Sequence, residues 1–151
     1  MFRGVNRLNL DAKGRLAIPT RYREQLRECC ASELVVTVDT DHCLLIYPLP
    51  EWQLIELKIM KRPSFNKAAR QLQRLLVGHA TEIEMDGQGR MLLPPMLREF
   101  AGLEKQAVMI GQGNKFELWD ENRWNEKRDG WLKEADLEQL DLPSDLETLS
   151  I

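Results

Sequence analysis

The chain contains the same fifteen-residue stretch twice. Leu10-Asp11-Ala12-Lys13-Gly14-Arg15-Leu16-Ala17-Ile18-Pro19-Thr20-Arg21-Tyr22-Arg23-Glu24 returns as Met85-Asp86-Gly87-Gln88-Gly89-Arg90-Met91-Leu92-Leu93-Pro94-Pro95-Met96-Leu97-Arg98-Glu99. Asp11, Gly14, Arg15, Pro19, Arg23 and Glu24 recur as Asp86, Gly89, Arg90, Pro94, Arg98 and Glu99, each at an offset of 75. Farther on, Tyr47 matches Trp119 and Trp52 matches Trp124 at an offset of 72. A self-similarity of this kind constrains the fold more than any local propensity, because each copy must adopt the same supersecondary unit.

The units are small. The first runs from about residue 5 to 52 and the second from 81 to 124, with a linker at 53–80 and a tail at 125–151. Domains below ~60 residues bury too little surface to be comfortably stable alone. The two copies are therefore expected to share one core as an intrachain pseudo-dimer. Cys29, Cys30 and Cys43 are odd in number and form no C-x-x-C, which fits reduced thiols rather than a disulfide framework. No apolar leader core and no stretch of ~20 apolar residues is present, so a cytoplasmic location is expected and a membrane partner is not.

Local chemistry sets the order of elements within each repeat. Val5 to Leu10 suits a strand, Asp11 to Gly14 a turn, and Arg15 to Ile18 the returning arm of a hairpin. Pro19 ends that arm, and Thr20 is the expected N-cap of a short helix over Arg21 to Glu28; in the second copy Pro95 suits a first helical position. Leu34–Val38 and Cys43–Tyr47 form a second hairpin about Asp39–His42, matched by Ala107–Ile110 and Phe116–Trp119. The linker reads as two helices broken at Arg62-Pro63, the second capped by Ser64. Asp120 can cap a last helix reaching about Leu140, with Trp124, Trp131 and Leu132 available for burial, ahead of an acidic tail from Asp141 to Ile151. Fold class is α+β.

The net charge of −3 hides an uneven distribution. Residues 1–27 carry seven basic and two acidic groups, and residues 51–80 carry six and two, whereas residues 121–151 carry four and nine. A local basic face is thus compatible with an acidic whole. In each repeat the Asp is expected to accept backbone N–H groups of its own turn, with glycine setting the bend. Arg15 and Arg90 are then presented from stiffened tips, Asp11, Asp86, Gly14 and Gly89 being the residues that hold them. An arginine fork suits a phosphate or the O6/N7 edge of guanine. Lys13, Arg21, Arg23 and Arg3 are further candidates, from charge alone, for phosphate contacts that position without specifying sequence. The first tip is the more basic, since Gln88 stands where the first copy has Lys13.

Other chemistries fit less well. Asp11 and Asp86 at equivalent positions resemble a carboxylate dyad, but an arginine four residues on favours the charged form of each and opposes a shared proton. His79, Glu82, Glu84 and Asp86 include metal-ligand types, yet their alternation is that of a solvated strand face. Gly87-Gln88-Gly89 lacks the third glycine and helix of a dinucleotide site. No catalytic residue, metal or cofactor is assigned, and no small-molecule substrate is evident. The four tryptophans fit packing better than base stacking.

Phe2-Arg3-Gly4, the paired D-x-x-x-R, Tyr47-Pro48-Leu49-Pro50-Glu51-Trp52 and Gly113-Asn114-Lys115-Phe116-Glu117-Leu118-Trp119 together resemble the bacterial MraZ family over residues 1–130. The resemblance implies two tandem swapped-hairpin modules of the SpoVT–AbrB type. It further implies a cytoplasmic, nucleoid-associated transcriptional repressor of its own promoter and of the downstream division and cell-wall gene cluster. Double-stranded DNA with short direct repeats would be its partner, engaged by a ring-shaped homo-oligomer. It carries the DNA role onto Arg15 and Arg90. An antitoxin-like protein-interaction module of the same fold is the alternative.

Overall fold

The computed structural model describes residues 1–63, 65–134, 143, 144 and 146. Its first compact unit, Met1–Glu121, contains the first repeat and nearly all of the second. The first repeat supplies β1 (Phe2–Asn9), β2 (Arg15–Ala17), α1 (Thr20–Cys30), β3 (Glu33–Val38) and β4 (Leu44–Pro48). The second supplies β5 (Thr81–Glu84), β6 (Arg90–Leu92), α4 (Pro95–Phe100), β7 (Gln106–Gly113) and β8 (Phe116–Asp120). Between them lie α2 (Leu49–Met60) and α3 (Lys67–Leu72), which runs on into a π-helical turn, Gln73–Val77. The second unit, from Asn122 on, holds nearly all of α5 (Glu121–Glu134).

The repeats are interleaved rather than placed side by side. One antiparallel sheet has the order β1-β7-β8-β4-β3-β5, and a separate two-stranded ribbon joins β2 to β6. The first strand of each repeat thus pairs with the third strand of the other: β1 with β7, and β5 with β3. The registers show the symmetry directly. In the ribbon Leu16 faces Met91, its own equivalent, with Arg15 opposite Leu92 and Ala17 opposite Arg90. In the sheet Leu45 faces Glu117, again an equivalent pair, flanked by Leu44–Leu118 and Ile46–Phe116. A pseudo-two-fold axis therefore passes through Leu16/Met91 and Leu45/Glu117.

Burial follows from that arrangement. β3 and β4 are covered on both faces and read as near-continuous apolar runs, as doubly buried strands do. One face, with Leu34, Val36, Leu44 and Ile46, joins Leu16, Ile18, Leu26, Met91, Leu93, Leu97, Met109 and Phe116 in the main core. The other, with Val35, Leu45 and Tyr47, is covered by Trp52 and by Ile55, Leu76 and Val77. Buried Thr37 donates its hydroxyl to the Leu76 carbonyl at 2.6 Å, tying the π-helical turn to the sheet.

Several expectations are corrected. The arm from Arg15 closes its turn through Asp11 N–H to the Arg15 carbonyl at 3.0 Å but then pairs with β6, not β1. Pairing across the repeats lets Leu16 and Met91 cover each other in the shared core. Thr20 is not a side-chain cap: Pro19, with extended φ −51° and ψ 136°, precedes the helix and Thr20 is its first residue. Pro95 does occupy the first turn of α4. The Ser64 cap lies outside the described residues; Asn66 caps α3 instead, accepting from Ala69 N–H at 3.1 Å. Trp52 and Trp119 are buried, whereas Trp131 and Leu132 on α5 are exposed. The part of the last helix placed beyond Glu134, and most of the acidic tail, fall outside the described residues. No helix among the described residues is long and apolar enough to cross a membrane.

Candidate nucleic-acid interface

The two tips are built alike from the backbone outward. Asp11 Oδ1 accepts the Lys13 and Arg15 N–H groups at 3.0 and 2.9 Å. Asp86 Oδ1 accepts those of Gln88 and Arg90 at 2.8 and 2.9 Å. The backbone N–H of Arg15 is the main cause holding the Asp11 carboxyl below its ordinary value, and that of Arg90 does the same for Asp86. Both carboxylates are thereby fixed in the charged form, the opposite of a dyad sharing one proton.

The arginines differ in how they use this charge. Arg15 donates Nε–H to Asp11 Oδ2 at 2.8 Å, leaving its Nη donors with no protein partner among the described residues. Arg90 has no side-chain hydrogen bond or ion pair among the described residues. Because Leu16 and Met91 are buried, strand alternation turns Arg15 and Arg90 to the outer face of the ribbon, on one diagonal. Coulombic attraction to Arg15 also helps lower Asp86, so the second tip lies within reach of the first tip's charge.

Each tip is completed by the opposite repeat. The Gly14 carbonyl accepts Leu93 N–H at 3.0 Å, the Leu93 carbonyl accepts Arg98 Nε–H at 3.1 Å, and the Arg98 side chain lies across Gly14. The mirror circuit runs from the Gly89 carbonyl to Ile18 N–H at 2.8 Å and from the Ile18 carbonyl to Arg23 Nε–H at 2.7 Å, with Arg23 across Gly89. Both glycines are buried although they sit at turn tips, and their φ values of +87° and +79° suit glycine.

The other candidates separate into two groups. Lys13 is exposed at the first tip, with Gln88 at its counterpart. Arg21 and Arg3 belong to a network away from the tip turns: Arg21 Nη2 donates to Asn6 Oδ1 at 2.6 Å and stacks over the Tyr22 ring, while Tyr22 OH donates to the Arg3 carbonyl. Charge alone does not single out Arg98; its identity with Arg23 in the repeat is the signal that marks it. Among metal-ligand types, His79 Nδ1 lies 2.8 Å from the Leu75 carbonyl. Asp39, Cys43 and Glu117 bring donor atoms within 4.8 Å of one another; burial raises both the Cys43 thiol and the Glu117 carboxyl.

A family model described as "MraZ protein, putative antitoxin-like" matches this chain twice, over residues 1–75 and 76–140. The chain belongs to the MraZ family. The second match begins 75 residues after the first, the offset of the repeated tips. Among curated relatives, the "Transcriptional regulator MraZ" of Thioalkalivibrio sulfidiphilus is 60% identical over 151 residues, covering all of both chains. That of Halorhodospira halophila is 57% identical over 152 residues, again covering all of both. The Pseudomonas aeruginosa protein of the same name is 54% identical over 147 residues, 97% of this chain and 94% of its own. The first two relatives thus match the whole chain, both repeats included.

Proposed function

We propose that this chain is a transcriptional regulator that binds double-stranded DNA through the β2/β6 ribbon and its two adjoining tips. The carrying observation is the pair of outward arginines, Arg15 and Arg90, placed on one ribbon by a two-fold axis and each following a carboxylate locked to its own turn. A two-stranded ribbon fits the major groove, ~12 Å wide, where a guanidinium fork meets guanine O6 and N7. Lys13 adds a phosphate contact at the first tip. Arg3 and Arg21 add positive charge around β1 and α1. Arg23, with Nε engaged and its side chain across Gly89, takes the role of holding the opposite tip.

The cross-paired strands support reading the two repeats, 5–52 and 81–124, as swapped-hairpin modules of the SpoVT–AbrB type joined by the linker at 53–80, with a C-terminal helix and tail at 125–151. Exposed Leu54, Leu57 and Met60 on α2 supply apolar surface for self-association into a ring. Modules that bind weakly one at a time become collectively tight when their spacing matches direct repeats. Repression of its own promoter and of a downstream division and cell-wall cluster, from a nucleoid-associated cytoplasmic location, completes the proposal.

The test is binding of the wild type and of Arg15→Ala to DNA from directly upstream of the chain's own gene, across a salt series. Tight binding that weakens steeply with salt and is lost in the variant supports arginine-tip recognition. Absence of binding at low salt by folded protein overturns it. It would favour the second reading, an antitoxin-like protein-interaction module, in keeping with the words "putative antitoxin-like" in the family description.

A further inference from the structure

The outward face of the ribbon carries four side chains: Arg15, Ala17, Arg90 and Leu92. The arginines occupy one diagonal and the apolar residues the other. Arg15 stands directly opposite Leu92, so their Cβ atoms are neighbours at ~4.5–5.5 Å. The pseudo-two-fold exchanges Leu92 with Ala17, and here the two halves differ in reach. Ala17 ends at its Cβ, whereas Leu92 extends a branched chain that is 53% exposed. A lone exposed leucine is unremarkable on a protein surface. This one lies between the two arginines that face the proposed ligand.

We infer that Leu92 is a base-reading residue that packs against the C5-methyl group of a thymine next to the base contacted by Arg15. The inference rests on the reading of the ribbon as the DNA-facing surface. In the major groove every base pair offers hydrogen-bond donors and acceptors, but thymine alone among the four bases adds a methyl group. An arginine fork beside a leucine therefore selects a guanine contact flanked by thymine. Ala17, at the corresponding corner near Arg90, stops short of that methyl. The ribbon thus gains a direction on the duplex that a strictly symmetric one would lack.

The experiment uses the full-length protein and a duplex selected by it from a random-sequence pool. Each thymine in the selected site is replaced singly by uracil, which removes the C5-methyl and leaves every hydrogen-bonding group in place. One replacement is expected to weaken wild-type binding about fourfold, the worth of one buried methyl group. Leu92→Ala should bind the thymine and uracil duplexes equally, with unchanged circular dichroism and an unchanged number of subunits. The double variant Ala17→Leu/Leu92→Ala should move the sensitive thymine to the other side of the site. Wild type that selects a sequence yet ignores every uracil overturns the inference alone. So does a Leu92→Ala protein that keeps the discrimination, or that changes only in oligomeric mass, which would make Leu92 a subunit contact. Failure to select any sequence overturns the ribbon reading and this inference together.

Discussion

Arg98 of the second repeat lies across Gly14 of the first, while its Nε–H holds the carbonyl of Leu93, whose own N–H holds Gly14. Arg23 repeats the same circuit over Gly89. The tips proposed to meet DNA are therefore each braced from the other half of the chain.

Hydrogen exchange reads this brace directly. Arg98→Ala should speed exchange of the Gly14 and Arg15 amides and leave those of Gly89 and Arg90 little changed, with Arg23→Ala doing the reverse. Each variant would then act on the repeat it does not belong to. Loosening confined to the mutated repeat would refute the crossed arrangement.

Gly14→Ala should destabilise the protein by about 2 kcal/mol, the scale of a non-glycine residue held at positive φ, with a further loss from the clash. An added Cβ there would fall 2.5 Å from Arg98 Nε. Pairing it with Arg98→Ala removes the clash but not the backbone strain. Urea unfolding of the four proteins in the cycle should show the double variant less destabilised than the sum of the singles.

Arg15→Ala should cost about 1–3 kcal/mol of binding for each engaged module, the range for a bidentate base contact. Arg15→Lys should recover the salt dependence but not the sequence preference, since an ammonium is a point charge without a fork. Competition titrations against specific and unrelated duplexes separate the two effects.

Stability should fall in acid through the tip carboxylates. Asp11 and Asp86 are lowered in the folded protein, chiefly by the N–H groups of Arg15 and Arg90. The unfolded chain then binds protons first, so their contribution is complete above about pH 4 and is lost as pH falls through the lowered folded values. Asp11→Asn/Asp86→Asn should therefore be less stable than wild type at pH 7 and closer to it at pH 3, measured by urea midpoints.

Glu117 carries the opposite sign. Burial raises its carboxyl most, with Asp39 and Asp41 adding repulsion, while Trp119 Nε1 donates to it at 3.1 Å. A raised folded value means the stabilising balance is best below the unfolded value and is lost as pH rises through the folded one. Glu117→Gln keeps an acceptor for Trp119, so it should raise the melting temperature at pH 7 and lose that advantage near pH 4.

What could be read from the residues was the repeat, and most of the fold follows from it. The Asp carboxylate on its turn and the glycine bend were legible because every partner lies within four residues. The pairing of β2 with β6 was not, because turn chemistry marks a reversal without naming the strand that follows it. The choice is made by the core, where Leu16 and Met91 cover each other. Arg23 and Arg98 carry charge, and charge alone pointed Arg23 toward phosphate. Only the fold brings each of them onto a glycine far away in sequence. Trp131 and Leu132 had helical spacing suited to burial, yet both remain exposed in the described structure.

The crossed strands also bear on how the chain is made. When the first repeat leaves the ribosome, β1 has no β7, β3 has no β5 and Leu16 has no Met91. At a synthesis rate of ~5–20 residues per second, the missing partners in β5 to β7, which follow residue 52 by 29 to 61 residues (81 − 52 and 113 − 52), arrive roughly 1–12 s later. Throughout that interval the nascent half presents open strand edges and an uncovered core face, both templates for wrong pairing. Folding of the first half must wait for the second, so a message truncated after the linker yields a chain that has no partner for either edge.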